Sequence, residues 1–196
     1  MSPANDSTVT DSPPTASVLE PPGGFFIWML VALELATFGV ALIAFAASGK
    51  SEAVLFHESR QQLDLRLGIA NTIFLLTSGY FMAEAVRHHV RSDFPRTRRC
   101  VWLALGGGTL FLVTKGIEYS DKIAHGHVLG SNSFFTWYWL LTVFHLMHVL
   151  VGMVILAVLL RRVHRIDHES LEAGGVFWHM CDLVWLLLFP ALYLAF

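Results

Sequence analysis

Charge, cysteine and any hydrophilic stretch of domain size are what this chain has least of. Of its 196 residues only 14% are charged and 55% are hydrophobic, and the mean hydropathy is +0.57. That balance places it in the membrane class rather than among soluble domains. Its two cysteines, Cys100 and Cys181, are too few for a Cys-based zinc or iron–sulfur site. Both fall in or at the edge of apolar runs, towards the same side, so no disulfide is expected. No phosphate-binding glycine loop, nucleophile elbow or nucleic-acid module is present, and no nucleic-acid partner is expected. Gly106-Gly107-Gly108 lies inside an apolar run and reads as a place of close helix approach. The first 23 residues contain no Lys or Arg. Without the basic start and small-residue cleavage site of a signal peptide, the first apolar run is expected to be retained.

Apolar length is what the chain has in abundance. A spanning helix takes about 20 mostly apolar residues, and five runs qualify: 24–48, 67–89, 98–121, 134–161 and 174–196. The expected fold class is all-α, an integral membrane five-helix bundle over residues 24–196. The tail, 1–23, is rich in Ser, Thr and Pro, carries only Asp6, Asp11 and Glu20 as charges, and reads as disordered. Arg87, Arg91, Arg96, Arg98 and Arg99 surround the link between spans two and three. Arg161, Arg162 and Arg165 surround the link between spans four and five. Both links face one compartment, which the positive-inside rule makes the cytoplasm, with the N-terminus on that side and the C-terminus opposite. Lys50, Arg60 and Arg66 after span one pull the other way, but the larger sum decides. Trp137-Tyr138-Trp139 then falls at the outer interface, where amphipathic rings are favoured.

Polar groups inside these runs need partners, since lipid offers none. Counting 1.5 Å per residue from the centre of each run puts Glu34, His148 and Asp182 within about 5 Å of the midplane. His145 lies one turn outward of His148, and His179 one turn inward of Asp182. Each pair is spaced i,i+3 and shares a helix face. Glu34, His145, His148, His179 and Asp182 are therefore expected to form a buried polar network that fixes helix register. Glu34 is the only charge between residues 25 and 47. It is either a hydrogen-bond partner of His148 or a carboxyl that handles protons. Glu118, Glu84 and Glu172 lie near span ends, within expected reach of water or headgroups. Di-iron bundles use Glu-x-x-His on two helices plus two further Glu; here the pattern is His-x-x-His and His-x-x-Asp. A bis-His haem is disfavoured because His148 and His179 are offset by about 9 Å in depth. No metal, haem or other cofactor is expected, and no catalytic residue. The alternative is an autonomous metal- or haem-binding membrane protein using His145, His148, His179 and Asp182.

The segment Glu172-Ala-Gly, then Trp178-His179-x-x-Asp182-x-Val184-Trp185, resembles the last helix of subunit III of the haem-copper (cytochrome c) oxidases. Phe144-His145-Leu-Met-His148-Val149-x-x-Gly152 resembles that family's penultimate helix. Gly130-Ser131-x-x-Phe134-Phe135, Glu118-Tyr119 and Leu33-Glu34-x-x-x-Phe38 are similar to family segments in the same order. The resemblance implies that this chain matches the last five of seven helices and lacks the first two, one arm of a lipid-holding cleft. It implies a multi-pass subunit of a bacterial inner (plasma) membrane, in contact with membrane lipid. Such a subunit carries no redox metal, packs on the catalytic subunit I, sustains turnover and supports proton uptake from the inner side. Short five-helix members include true oxidase subunits and accessory protein E of the nitric oxide reductase system. The compact loops and acidic, Pro-rich start are closer to the accessory type.

Overall fold

A computed structural model describes residues 21–195 of the chain. Most of the tail, for which disorder is expected, lies outside the described residues. Six helices follow one another: α1 (Phe25–Ser51), α2 (Ala53–Arg60), α3 (Leu65–Val90), α4 (Phe94–Ala124), α5 (Ser133–Arg162) and α6 (His168–Tyr193). All but α2 are long and apolar enough to cross a membrane, and no strand occurs among the described residues.

Side-chain caps, not hydropathy, set where most of these helices start. Asp64 accepts from the Arg66 amide, Asp93 from Arg96, Asn132 from Phe135 and Asp167 from Ser170. Each satisfies one of the orphan N–H groups at a helix N-terminus. This corrects two expected boundaries. The fourth spanning run ends close to its expected place, but the last helix begins at His168 rather than near 174, and the third span begins at Phe94 rather than near 98. Polar first turns are invisible to an apolar window, whereas the Asp cap specifies them.

The short helix α2 is not foreseen from hydropathy. It holds because Phe56 is fully buried, its ring 5.4 Å from Phe45 and 5.4 Å from Phe134. Asn132 Nδ2 donates to Ser59 Oγ at 3.0 Å, and the Ser133 hydroxyl bonds the Glu52 carboxylate. At the same end Lys122 donates to the Gln62 carbonyl at 2.6 Å. The opposite end collects residue 23 against Ala173, His89 stacked 5.9 Å from His168, and Phe94 5.1 Å from His164. The Arg-rich links thus share one end of the bundle.

Helix α6 is the most enclosed span and α1 the least. Helix α6 packs against α1, α3 and α5, and α4 lies against α3 and α5. Between helices in lipid, packing and hydrogen bonds replace the hydrophobic effect, so small residues gather at crossings. A β-carbon at Gly107 would sit 2.9 Å from the Phe74 carbonyl oxygen, so α3 and α4 approach as closely as they do only because that side chain is missing. The Trp178 ring lies where β-carbons of Gly108 and Gly152 would intrude at 2.9 and 2.8 Å. Its Nε1 donates to Ser78 Oγ at 3.0 Å, and Ser78 donates to the Ala104 carbonyl at 2.6 Å. One turn pair further along, Trp185 Nε1 donates to Thr72 Oγ1 at 3.0 Å. Helix α6 is pinned to α3 by these two indoles.

Candidate functional site

The ionisable residues that bear on a site within the spans lie in three places rather than one. The first is the seam of α1 and α5. Glu34 Oε2 lies 3.1 Å from His148 Nε2, off the hydrogen-bond line. The other ring nitrogen, Nδ1, lies 2.9 Å from the Phe144 carbonyl. A carbonyl only accepts, so Nδ1 carries a proton, and a neutral ring then offers Nε2 as a lone pair. An attractive contact with Glu34 therefore needs one further proton, on the carboxyl or on the ring. Phe38, fully buried one turn from Glu34, stands edge-on to His148 at 5.6 Å.

His145 points the other way, into the core. Its ring stacks on Trp185 at 5.5 Å and meets Phe111 edge-on at 5.7 Å. Neither ring nitrogen has a hydrogen-bond partner among the described residues. The second place is α6 against α3. Asp182 is buried, with Oδ2 3.4 Å from His179 Nδ1 and Oδ1 unpartnered. It sits in the space left by Gly79, where a β-carbon would overlap Oδ2.

This corrects the expectation of one buried network. Glu34 and His148 meet, and His179 and Asp182 meet, but no hydrogen bond or ion pair joins the two pairs, and His145 belongs to neither. His179 is half exposed rather than buried, with 48% of its side chain open. The reason is angular. Depth counting fixes height along each helix, whereas the rotation of α5 turns His145 and His148 to different neighbours. No group of three His, Cys, Asp or Glu among the described residues is arranged to hold a metal ion. The four proposed ligands do not converge.

The third place is one that sequence reading misjudged. Glu118 does not reach water or headgroups; it is 1% exposed, and so is Lys115. Lys115 Nζ lies 3.0 Å from Glu118 Oε2 and 3.0 Å from the Tyr193 hydroxyl. Tyr138 donates to Glu118 Oε1 at 2.9 Å, and Tyr193 donates to the same oxygen. The ammonium also lies 5.0 Å from the centre of the Trp185 ring. Every charge here has partners from α4, α5 and α6, which is what a buried ion pair requires. The signal was present: Lys115 precedes Glu118 by one helical turn. The two tyrosines that seal the pair come from distant segments.

Sequence comparison accords with this architecture. The chain matches the family described as cytochrome c oxidase subunit III over residues 27–195. It is 36% identical to the cytochrome c oxidase subunit 3 of Mycosarcoma maydis over 65% of this chain and 47% of that one, so it spans about half the length of that relative. It is 26% identical to a probable cytochrome c oxidase subunit 3 of Mycobacterium leprae, over 87% of this chain and 85% of that protein. A haem-copper oxidase subunit I+III of Aeropyrum pernix is 26% identical over 86% of this chain and 22% of its own length. With five membrane-length helices in the matched region, the chain belongs to the cytochrome c oxidase subunit III family.

Proposed function

We propose that the chain is a non-catalytic membrane subunit of a haem-copper oxidase, seated against a catalytic subunit of the subunit I type and supporting its stability and proton uptake. The observation that carries this reading is the Glu34–His148 pair. Charged residues near mid-membrane cost about 2.5–3.5 kcal/mol each on insertion scales and are normally enclosed. This pair keeps 22% and 15% of its side-chain surface open. The helices of this chain do not close over it, and a neighbouring subunit would. The archaeal relative whose name joins subunits I and III in one chain supports that pairing. The names of the fungal and mycobacterial relatives support a cytochrome c oxidase as the complex. The nitric oxide reductase alternative rests on the likeness of loops and tail alone. In a bacterial plasma membrane, clustering of the Arg-rich links at one end favours an orientation with those links and the N-terminus inside.

Glu34 is assigned as a proton-handling carboxyl with His148 as its partner. Glu34→Gln keeps the shape and a hydrogen-bonding group but cannot ionise. In a complex purified in mild detergent through this chain, the variant is expected to retain the catalytic subunit while lowering its turnover. Unchanged turnover makes Glu34 a structural group. Absence of any haem-bearing partner from the wild-type purification removes the subunit reading itself.

A further inference from the structure

One helical turn from Asp182, the surface between α3 and α6 is hollowed at His179. A cavity of about 230 Å³ lies between α3 and α6, lined by Ala83 and Val86 of α3, by Glu172, Val176 and His179 of α6, and by Pro22. Small residues make the room: a β-carbon at Gly175 would come within 3.3 Å of Val86. The lining of the cavity reaches the Arg-rich end at Glu172 and Pro22, where residues 21–24 cross the start of α6. Gly23 at φ +77° lies so close there that a β-carbon would meet the Ala173 backbone at 2.8 Å. Glu172 and His179 supply the polar side chains of a lining otherwise made of Pro22, Ala83, Val86, Gly175 and Val176, and a single water between them needs only about 10–15 Å³ of probe volume.

Titratable groups follow one face of α6 from the mouth of this space, through His179 on its lining, to Asp182 just beyond it. At the surface Glu172 Oε1 lies 2.9 Å from His168 Nε2, with side chains 27% and 39% exposed. About 15 Å further in at 1.5 Å per residue, Asp182 is buried with one carboxyl oxygen towards His179 and the other unpartnered. Glu169 stands beside Gly24, and Glu34 of α1 lies within electrostatic reach of Cys181. Helix α3 lines this space with Ala83 and Val86, Met82 lies against Gly175 beside it, and Glu84 pairs with Arg87 and His88 of its own helix.

We infer that Glu172, His179 and the cavity between them form a water-filled access path through which Asp182 exchanges its proton with the solution at the Arg-rich end. The inward step conserves charge at the ring. A proton from water in the cavity, delivered past the Glu172 carboxylate, bonds to His179 Nε2. The Nδ1–H bond breaks and its proton passes to Asp182 Oδ2, leaving a neutral imidazole and a neutral carboxylic acid. The outward step is the reverse. Asp182 thereby becomes a proton site distinct from Glu34, served by a different helix face, and the inference holds whether or not Glu34 handles protons.

Two measurements on the full-length chain test it. In sealed vesicles of a Cys100→Ala/Cys181→Ala background, a membrane-impermeant methanethiosulfonate is applied from the Arg-rich side. Val176→Cys and Ala83→Cys are expected to label, and Val154→Cys, exposed at comparable depth on α5, is not. Protection of 176 and 83 in variants that elute as monodisperse, fully helical protein means that lipid fills the space, and overturns the path. The second measurement is deuterium exchange of the Asp182 carboxyl, identified in infrared difference spectra against Asp182→Asn. His179→Leu is expected to slow it about a hundredfold, the low end of what a positioned proton-transfer group supplies. Equal rates in wild type and His179→Leu overturn the relay.

Discussion

Gly79 on α3 and Asp182 on α6 occupy a single site between them: the carboxyl oxygen of one stands where a β-carbon of the other would be. The close approach of the two helices, and the burial of the carboxyl, both depend on that missing atom.

Gly79→Ala should therefore push Asp182 aside and destabilise the α3–α6 contact by about 1–3 kcal/mol, the usual cost of overpacking. Thermal unfolding in detergent measures it. Combined with Asp182→Ala, which vacates the site, the loss should fall short of the sum of the single losses, as contacting residues require. Simple additivity would mean that the two side chains do not compete.

Lys115 and Glu118 give a stronger contrast. Glu118→Gln leaves a fully buried ammonium without its carboxylate, a loss of about 3–5 kcal/mol for broken buried pairs. Lys115→Met together with Glu118→Gln removes both charges and should recover most of that loss. Denaturant melts of the single and double variants decide whether the pair, rather than either residue, is what the fold needs.

Ser78→Ala removes the acceptor for Trp178 Nε1 and the donor to the Ala104 carbonyl. Side-chain hydrogen bonds in membrane proteins average about 0.6 kcal/mol and reach about 1.7, so the variant should fold with modestly reduced stability. A changed indole emission from Trp178, with wild-type helix content, is the expected signature.

Asp167 supplies the pH dependence. The Ser170 hydroxyl, then its own amide and that of Ser170, hold this carboxyl below the usual aspartate range. A lowered folded-state pKa means that its stabilisation is fully present above the ordinary aspartate value and is lost as pH falls through the lowered one. The protection factor of the Ser170 amide, its exchange rate taken relative to the intrinsic rate at each pH, should fall over that acidic window. In Asp167→Ala the protection factor of that amide should be low at all pH values.

The five spans are legible because apolar length is a one-dimensional property, and the last two helices carry their family pattern in consecutive residues. Height within the membrane is nearly as legible: counting from the centre of each run brings Glu34 and His148 to one level, and their atoms lie 3.1 Å apart. The caps were readable too, as Asp or Asn at 64, 93, 132 and 167, had polar first turns been counted as helix.

What sequence alone determined is thus the class of fold, the number of spans, the family and the shared level of Glu34 and His148. Tertiary structure decided which ionisable groups meet. Helix rotation, set by glycines at 79, 107, 108 and 152 and by the indoles that fill their space, turned His145 into the core and His179 outward. It also drew Tyr138 and Tyr193 over Lys115 and Glu118. Height follows from counting along one helix, whereas facing depends on packing several helices at once, and only the folded bundle contains that information.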